Sequence, residues 1–565
     1  MKNKLKISII ALSMALLLFS CNDMDMEQGL GIDDKLMWSN PTYINNYVVD
    51  MISYMPNGFS PVELGSGILY AGATDEAENA NPALGIHIFN SGNLSPVWTS
   101  IVWERNYTGI YKANLFLEKL KHVDFTEYAP DKQSLFMADI AKYKAEARML
   151  RALCYYELIK HFGGVVLLGD AFVENINDLS KPEFSKGRSS LTECANYIVG
   201  ECDTIIDKQL LPLLDQGADQ GRPNGTAAKA LKCKTLLLMA SPVYNSNITE
   251  GSSAQKAIWE KVLAVSQDIC FNRIFSFGAY DVYDGTSPEV ILGYRQKNSN
   301  FLEKANFPAG AEGVDINGST NPTQNLVDAY RMLNGNKISE SGSGYDPTNP
   351  YTGRDKRLAQ TVIYNGYAWK ERNTQDRTVE IFRGGRDGMD RDNGTKTGYY
   401  IRKFIDPKLD LRQGQGSNRE WPIFRFSDIA LIWAEAANEL YGPAENGNSF
   451  LTATTILNQT ITRHGGLPEL PLSGITQTEL RERIREERFV ELAFEDQRAW
   501  DLRRWGIAHQ VLSQPVYKME VTRNENGTIN YTKAKLEDRY FSQRMMLYPI
   551  PQRDVNNGLT QNSGW

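Results

Sequence analysis

A long stretch of helical periodicity constrains this chain more than any other feature. From about residue 95 to 270, apolar residues recur at three- and four-residue steps in one segment after another. In the clearest segment, 139–162, Ile140, Tyr143, Ala147, Leu150, Cys154 and Leu158 share one face, and Gly163-Gly164 stops it. Ser190-x-x-Glu193 and Ser252-x-x-Gln255 have the form of capping boxes that open two further helices. Between them, 226–240 reads as a short helix. Its Ala227, Ala228 and Ala230 let a neighbour approach closely, and Pro242 ends it. Helices return at 427–441 and 452–464, and Thr476-x-x-Glu479 caps a long helix expected to run to about Arg498. The tail, Met545 to Trp565, reads as extended and broken by proline. The expected fold class is mainly α: a tetratricopeptide-like scaffold of helical hairpins, although no clean period of about 34 residues is visible.

Residues 280–420 break this pattern. They are rich in Gly, Asn, Asp and Tyr, with turn pairs at Asn334-Gly335, Asn365-Gly366 and Asn393-Gly394. A loop-rich insertion with some short strands is expected. Its aromatic content (Tyr283, Tyr294, Tyr351, Tyr367, Trp369, Tyr399, Tyr400) argues against disorder. Long ordered loops inside a compact protein usually carry function.

At the N-terminus, Lys2, Lys4 and Lys6 precede an apolar run from Ile7 to Phe19, which closes as Leu18-Phe19-Ser20-Cys21. This is the layout of a secretory signal. The Cys after a small residue resembles a bacterial lipoprotein signal. That resemblance implies a lipidated thiol and a mature chain beginning at Cys21. Asp23, Asp25 and Glu27 resemble the acidic tag of Bacteroidetes surface lipoproteins. The chain has 61 Lys and Arg against 68 Asp and Glu, a net charge of −7, and loses basic residues with its signal. Such a body is a poor partner for nucleic acid, which needs a basic surface. No second apolar stretch reaches the ~18 residues of a membrane span. A water-soluble body anchored at one end is therefore expected.

Cys154, Cys194, Cys202, Cys233 and Cys270 all fall in helical segments. Cys194 and Cys202 lie eight residues apart, so on one helix they stand ~12 Å from each other and cannot bridge. No CxxC spacing is present, and buried free thiols are expected.

Several blocks together resemble the SusD/RagB family of outer-membrane nutrient-uptake lipoproteins. They are Trp103-x3-Tyr107-x2-Ile110-x3-Asn114; Ala145-Glu146-Ala147-Arg148 through Tyr155-Tyr156 to Phe162-Gly163-Gly164-Val165; Gly221-Arg222 with Ala240-Ser241-Pro242-x-Tyr244-Asn245; Glu486 to Glu495 continuing to Trp505-Gly506; and Leu547-Tyr548-Pro549-Ile550-Pro551 with Gln561-Asn562-x-Gly564-Trp565. The blocks occur in the expected order, and only about 280–420 is unmatched. The resemblance implies a signal peptide at 1–20, an acidic tether at 21–40, an N-terminal helical region at 41–279, a ligand-binding insertion at 280–420, and a C-terminal region at 421–565 packed with the N-terminal helices as one body. It implies a lipid-anchored, outward-facing outer-membrane protein that binds oligosaccharide or polysaccharide without cutting it. Such a protein passes the glycan to a SusC-like TonB-dependent barrel. Some members of the family serve peptide or glycoprotein-glycan uptake instead.

Sugars offer C–H faces that suit aromatic rings, while amides and carboxylates read their hydroxyls. The candidate ligand residues are Trp98 and Trp369, with Tyr283, Tyr294, Tyr351, Asp75 and Asn81 behind them. The acids and arginines between Glu487 and Asp501 read as structural ion pairs rather than a glycosidase pair, because a carboxylate clamped by arginine is a poor general acid. Asp387, Asp390, Asp392 and Asn393 are hard-oxygen company for calcium without the spacing of a helix-loop-helix site. The five histidines form no HxxxH or HxH pair, and no nucleophile elbow, phosphate loop or GxGxxG is present. No metal, cofactor or catalytic residue is expected. A surface glycosidase and a helical-repeat interaction module are the rival readings.

Overall fold

The computed structural model of the protein describes residues 34–60, 66–81, 85–98, 101–171, 187–215, 217, 220–281, 283–312, 316–372, 375–443 and 452–565. The signal and the acidic tag, with Cys21, lie outside them.

The long helices stack in chain order. Pro41–Ile52 (α1) leads to Ile101–Lys119 (α2) and the 33-residue Pro130–Phe162 (α3), followed by Leu191–Asp207 (α4), Gly225–Met239 (α5) and Ser253–Phe271 (α6). Each of α2 to α6 packs on the next. Helix α6 then packs on Phe426–Tyr441 (α7), which in turn packs on Ala453–Thr460 (α8) and Gln477–Glu491 (α9). Sequential hairpin stacking of this kind is the tetratricopeptide-like arrangement, and the fold is mainly α. Small residues allow it: Ala227, Ala228 and Ala230 on α5 are fully buried.

Two of the three expected capping boxes form as read; at the third, Ser252 accepts from the Gln255 N–H, but the Gln255 side chain accepts from the Gly251 N–H instead of closing the box. Ser190 and Thr476 form capping boxes with Glu193 and Glu479. Helix α3 stops at Gly163, whose φ of 74° suits glycine. Gly164 has a different reason: a Cβ there would lie 2.2 Å from the Ser189 carbonyl oxygen. One boundary differs from expectation. Helix α9 ends at Glu491 rather than near Arg498, because Phe494 and Asp496 take left-handed φ values of 64° and 59°. A separate helix, Arg498–Arg504 (α10), follows. The tail also carries a short helix, Gln552–Asn556, within its extended course.

Residues 280–420 leave the stack between α6 and α7, which still touch each other. The neck of this excursion is an antiparallel ladder of Val290–Ser299 (β1) and Ser417–Arg425 (β2), with Tyr294 opposite Trp421. Short strand pairs such as Val362–Ile363 with Tyr400–Ile401 lie beyond it. Among the described residues no helix is long and apolar enough to cross a membrane. All five cysteines of the described residues are unpaired thiols.

Candidate functional site

An aromatic cleft opens where five separate stretches of chain meet. It is lined by Tyr54 and Gly58 after α1, by Tyr70, Phe89 and Trp98, by Arg105 and Asn106 on α2, by Glu157 and His161 on α3, and by Trp421, Asp496, Trp500 and Tyr548.

Each wall has a local cause. The carbonyls at the C-terminus of α3 are held by the tail. The Tyr548 N–H donates to the His161 carbonyl at 2.7 Å, and Asn562 Nδ2 donates to the carbonyls of Phe162 and Tyr548. This docking sets the Tyr548 ring beside His161 and Phe89, with centroids 5.1 and 5.5 Å apart. Trp500, on α10, lies parallel to Tyr70 at 6.0 Å and against His161 at 4.2 Å. Trp98 meets Phe89 edge to face at 5.2 Å. It is half-buried, so part of its ring is open to a ligand. Trp421 forms the opposite wall. Gly58 makes room for it, since a Cβ at that position would sit 2.0 Å from the indole.

The polar groups are few. Glu157 is bonded to Lys160 at 2.8 Å. His161 is kept neutral: burial drives its pKa well below the ordinary value, and Nδ1 lies 2.7 Å from the Glu157 carbonyl, to which it donates. Arg105 spends Nη2 on the carbonyls of Ser53 and Met55. Burial raises the Asp496 carboxyl to about 6. A concave site with aromatic walls and a few fixed polar groups can hold a small polar ligand by stacking and hydroxyl recognition.

Of the residues singled out in the sequence, Trp98 lines this cleft and the other candidates stand elsewhere. Trp369 is 2% exposed and meets Phe307 edge on. Tyr283 is buried against Phe404 and donates to Glu495. Tyr351 stacks on Tyr364 at 4.1 Å. Tyr294 is half-buried on β1. The Asp75 carboxylate is held by Arg498. Asn81 is exposed, and its carbonyl accepts from His87. No described residue of 280–420 lines the cleft. Sequence reasoning passed over Trp421, Trp500, Tyr548, Phe89 and Asp496. Trp500 and Tyr548 lie inside or beside the family blocks, which was the available signal.

The acidic residues elsewhere are clamped. Arg488 bridges Asp428 and Asp501. Arg425 joins Glu289, Glu491 and Glu495. Among the described residues, Glu289, His464 and Glu491 form the group close enough to hold a metal. Both ring nitrogens of His464 face carboxylates, at 2.9 and 3.1 Å, and its pKa is raised to about 10 against the cost of burial, Glu491 being the main cause. A doubly protonated ring has no lone pair for a metal, and Arg425 already supplies the cation. In the candidate calcium loop, Asp387 is fully buried on Arg377, Asp390 accepts from the Gly384 N–H, and the Asn393 amide donates to the Ile316 carbonyl.

Residues 288–565 match the family model described as the SusD family, and 77–237 match one described as starch-binding associating with outer membrane. The chain belongs to the SusD/RagB family. The first match takes in most of the region that carried no recognisable block, so 288–420 belongs to the family pattern. "SusD-like protein P25" of Formosa agariphila is 23% identical over 89% of this chain and 90% of its own. A SusD-like protein of Bacteroides fragilis superposes with a TM-score of 0.76 at 24% identity, covering 94% of this chain and 99% of its own. A second Bacteroides fragilis protein, titled a SusD-like carbohydrate binding protein, superposes at 0.70 with 22% identity over 92% and 99%. The surface glycan-binding protein A of Bacteroides fluxus gives 0.59 at 16% over 93% and 100%.

Proposed function

We propose that this protein is a lipid-anchored surface protein of the outer membrane that binds glycan non-covalently in the aromatic cleft and passes it to a SusC-like TonB-dependent barrel. The observation that carries this reading is the convergence of Trp98, Trp421, Trp500, Tyr548 and Phe89 from distant parts of the chain on one cleft. The family's description and the named activities of two similar structures support the glycan as ligand. The signal ending at Cys21 supports the anchor.

Binding without hydrolysis is the expected chemistry. A glycosidase needs two carboxyl groups with opposed roles. In the cleft, Glu157 is paired with Lys160, so Asp496 has no free partner carboxylate there. The test is titration of the purified mature protein with glycans in a calorimeter, with reducing ends assayed in the same samples. Saturable binding that Trp98→Ala weakens, with no release of reducing ends, is expected. Release of reducing ends that Asp496→Asn abolishes would make the protein a hydrolase. Co-purification from the outer membrane tests the barrel partner. Failure to recover a TonB-dependent barrel would remove the delivery step.

A further inference from the structure

The charged groups around the cleft balance one another except at Arg105. Glu157 is ion-paired with Lys160 at 2.7 Å. Burial, the largest effect, lifts the Asp496 carboxyl to about 6, while Lys160, a hydrogen bond from the Trp500 indole and Arg503 act against it. Asp496 is therefore mostly ionised at neutral pH, and its charge faces those of Lys160 and Arg503. His161 is neutral. Two carboxylates thus sit among two cations. Arg105 lines the same cleft and pairs with no carboxylate among the described residues. The acids nearest to it along the chain and on the neighbouring helix are committed elsewhere, Glu104 to Arg553 at 3.0 Å and Asp50 to Lys112 at 2.6 Å.

Arg105 is also fixed in place. Its Nη2 donates to the carbonyls of Ser53 and Met55, just past the end of α1, and its guanidinium carbon lies 6.0 Å from the centre of the Tyr54 ring. Its Nε and Nη1 donors have no partner among the described residues. A cation already held by the backbone loses little freedom when a ligand arrives. Set among aromatic walls, it is stabilised by an incoming anion, and the guanidinium N–H groups suit the oxygens of a carboxylate or sulfate. Asn57 stands in the same lining: its Oδ1 accepts from the Phe59 N–H at 3.1 Å, and its Nδ2 is left as a neutral donor.

Resting on the cleft as the glycan site, we infer that it selects glycans bearing an anionic group, a sugar carboxylate or a sulfate ester, with Arg105 as the residue that sets this specificity. The sugar ring stacks on the aromatic wall, and its acid group meets the Arg105 guanidinium.

The test is calorimetric titration of the mature protein with matched pairs of oligosaccharides that differ only in the acid: oligogalacturonate and its methyl ester, a sialylated glycan and its asialo form, a sulfated glycan and its desulfated form. In the pair that is bound, the acidic member is expected to bind about tenfold more tightly than the neutral one, as a charge-assisted hydrogen bond allows. The pair that shows the preference tells carboxylate from sulfate. Raising the salt from about 50 to 500 mM is expected to shrink the preference, because ions screen a partly exposed pair. Arg105→Gln is expected to bring the ratio of acidic to neutral affinity close to one, and Arg105→Lys to keep most of it. A general loss of structure would weaken both members and leave the ratio in place, and the salt dependence is read on the unaltered protein. Equal affinity for the two members in every pair overturns the inference. So does a preference that survives Arg105→Gln. Both results leave the cleft as the binding site if Trp98→Ala still weakens binding. Binding of no glycan, or affinities that Trp98→Ala leaves unchanged, overturns the cleft reading itself and the inference with it.

Discussion

Arg498 holds Asp75 with two parallel hydrogen bonds, Nε at 2.9 Å and Nη2 at 2.8 Å, joining residues 423 positions apart in the chain. Each side chain is 12% exposed. Next to this pair, the Phe494 N–H donates to Glu76, so the turn between α9 and α10 is pinned to the segment that leads into the cleft. The clamp uses the planar fork of arginine, which lysine cannot copy.

Removing one partner of this pair leaves a largely buried charge alone. Arg498→Ala is expected to destabilise the protein by about 3 kcal/mol, and Asp75→Ala by a similar amount. Urea unfolding of both single variants and the double variant checks it. The double variant should cost clearly less than the two singles added together.

Glu76 gives a pH signature. Burial is the largest cause lifting its carboxyl to about 8, against the hydrogen bond from Phe494 that lowers it. The folded chain therefore keeps this proton up to about pH 8, whereas the unfolded chain releases it near the ordinary 4.5. Its contribution to stability is greatest at low pH and declines as pH rises between those values. His464 adds to the alkaline loss: raised to about 10, it stabilises fully below 6.5 and loses that contribution as pH rises through about 10. Unfolding free energy measured from about pH 5 to 10 should fall, and Glu76→Gln should flatten the part below about pH 8.

Two of the three cleft tryptophans should separate binding from folding. Trp98 is half-buried at the rim, so Trp98→Ala should weaken glycan binding by about tenfold and leave melting nearly unchanged. Trp421 is 4% exposed and packs on Phe59 and Phe404. Trp421→Ala should cost binding and also about 3 kcal/mol of stability. Gly58→Ala should mimic part of it, by pushing the Trp421 ring out of place, at about 1–3 kcal/mol. Calorimetric binding read beside thermal melts checks all three.

Cys21→Ala should free the protein from the membrane. Fractionation of cells expressing the full chain is expected to move it from the membrane pellet to the soluble fraction, because acyl chains on Cys21 are the attachment proposed above.

Helix periodicity, capping boxes and the Gly163-Gly164 stop were legible in the sequence because they depend on residues within a few positions of one another. The mainly α class and the loop-rich excursion followed from these. The end of α9 was not legible, since the left-handed turns at Phe494 and Asp496 are imposed on residues that carry no glycine signal. Trp369 and Trp98 look alike along the chain, each an aromatic in a polar stretch. Only packing separates them: Phe307 covers one, and the other stands at the rim of an open cleft.

The amino-acid order alone determined most of the helical elements, their caps and the family pattern, all of which are set by local chemistry or by short motifs. The tertiary structure decided which aromatics line the cleft and which carboxylates are already spent. Trp98 lies hundreds of residues before Trp421, Trp500 and Tyr548, and no spacing along the sequence encodes a contact that exists only once the helices have stacked.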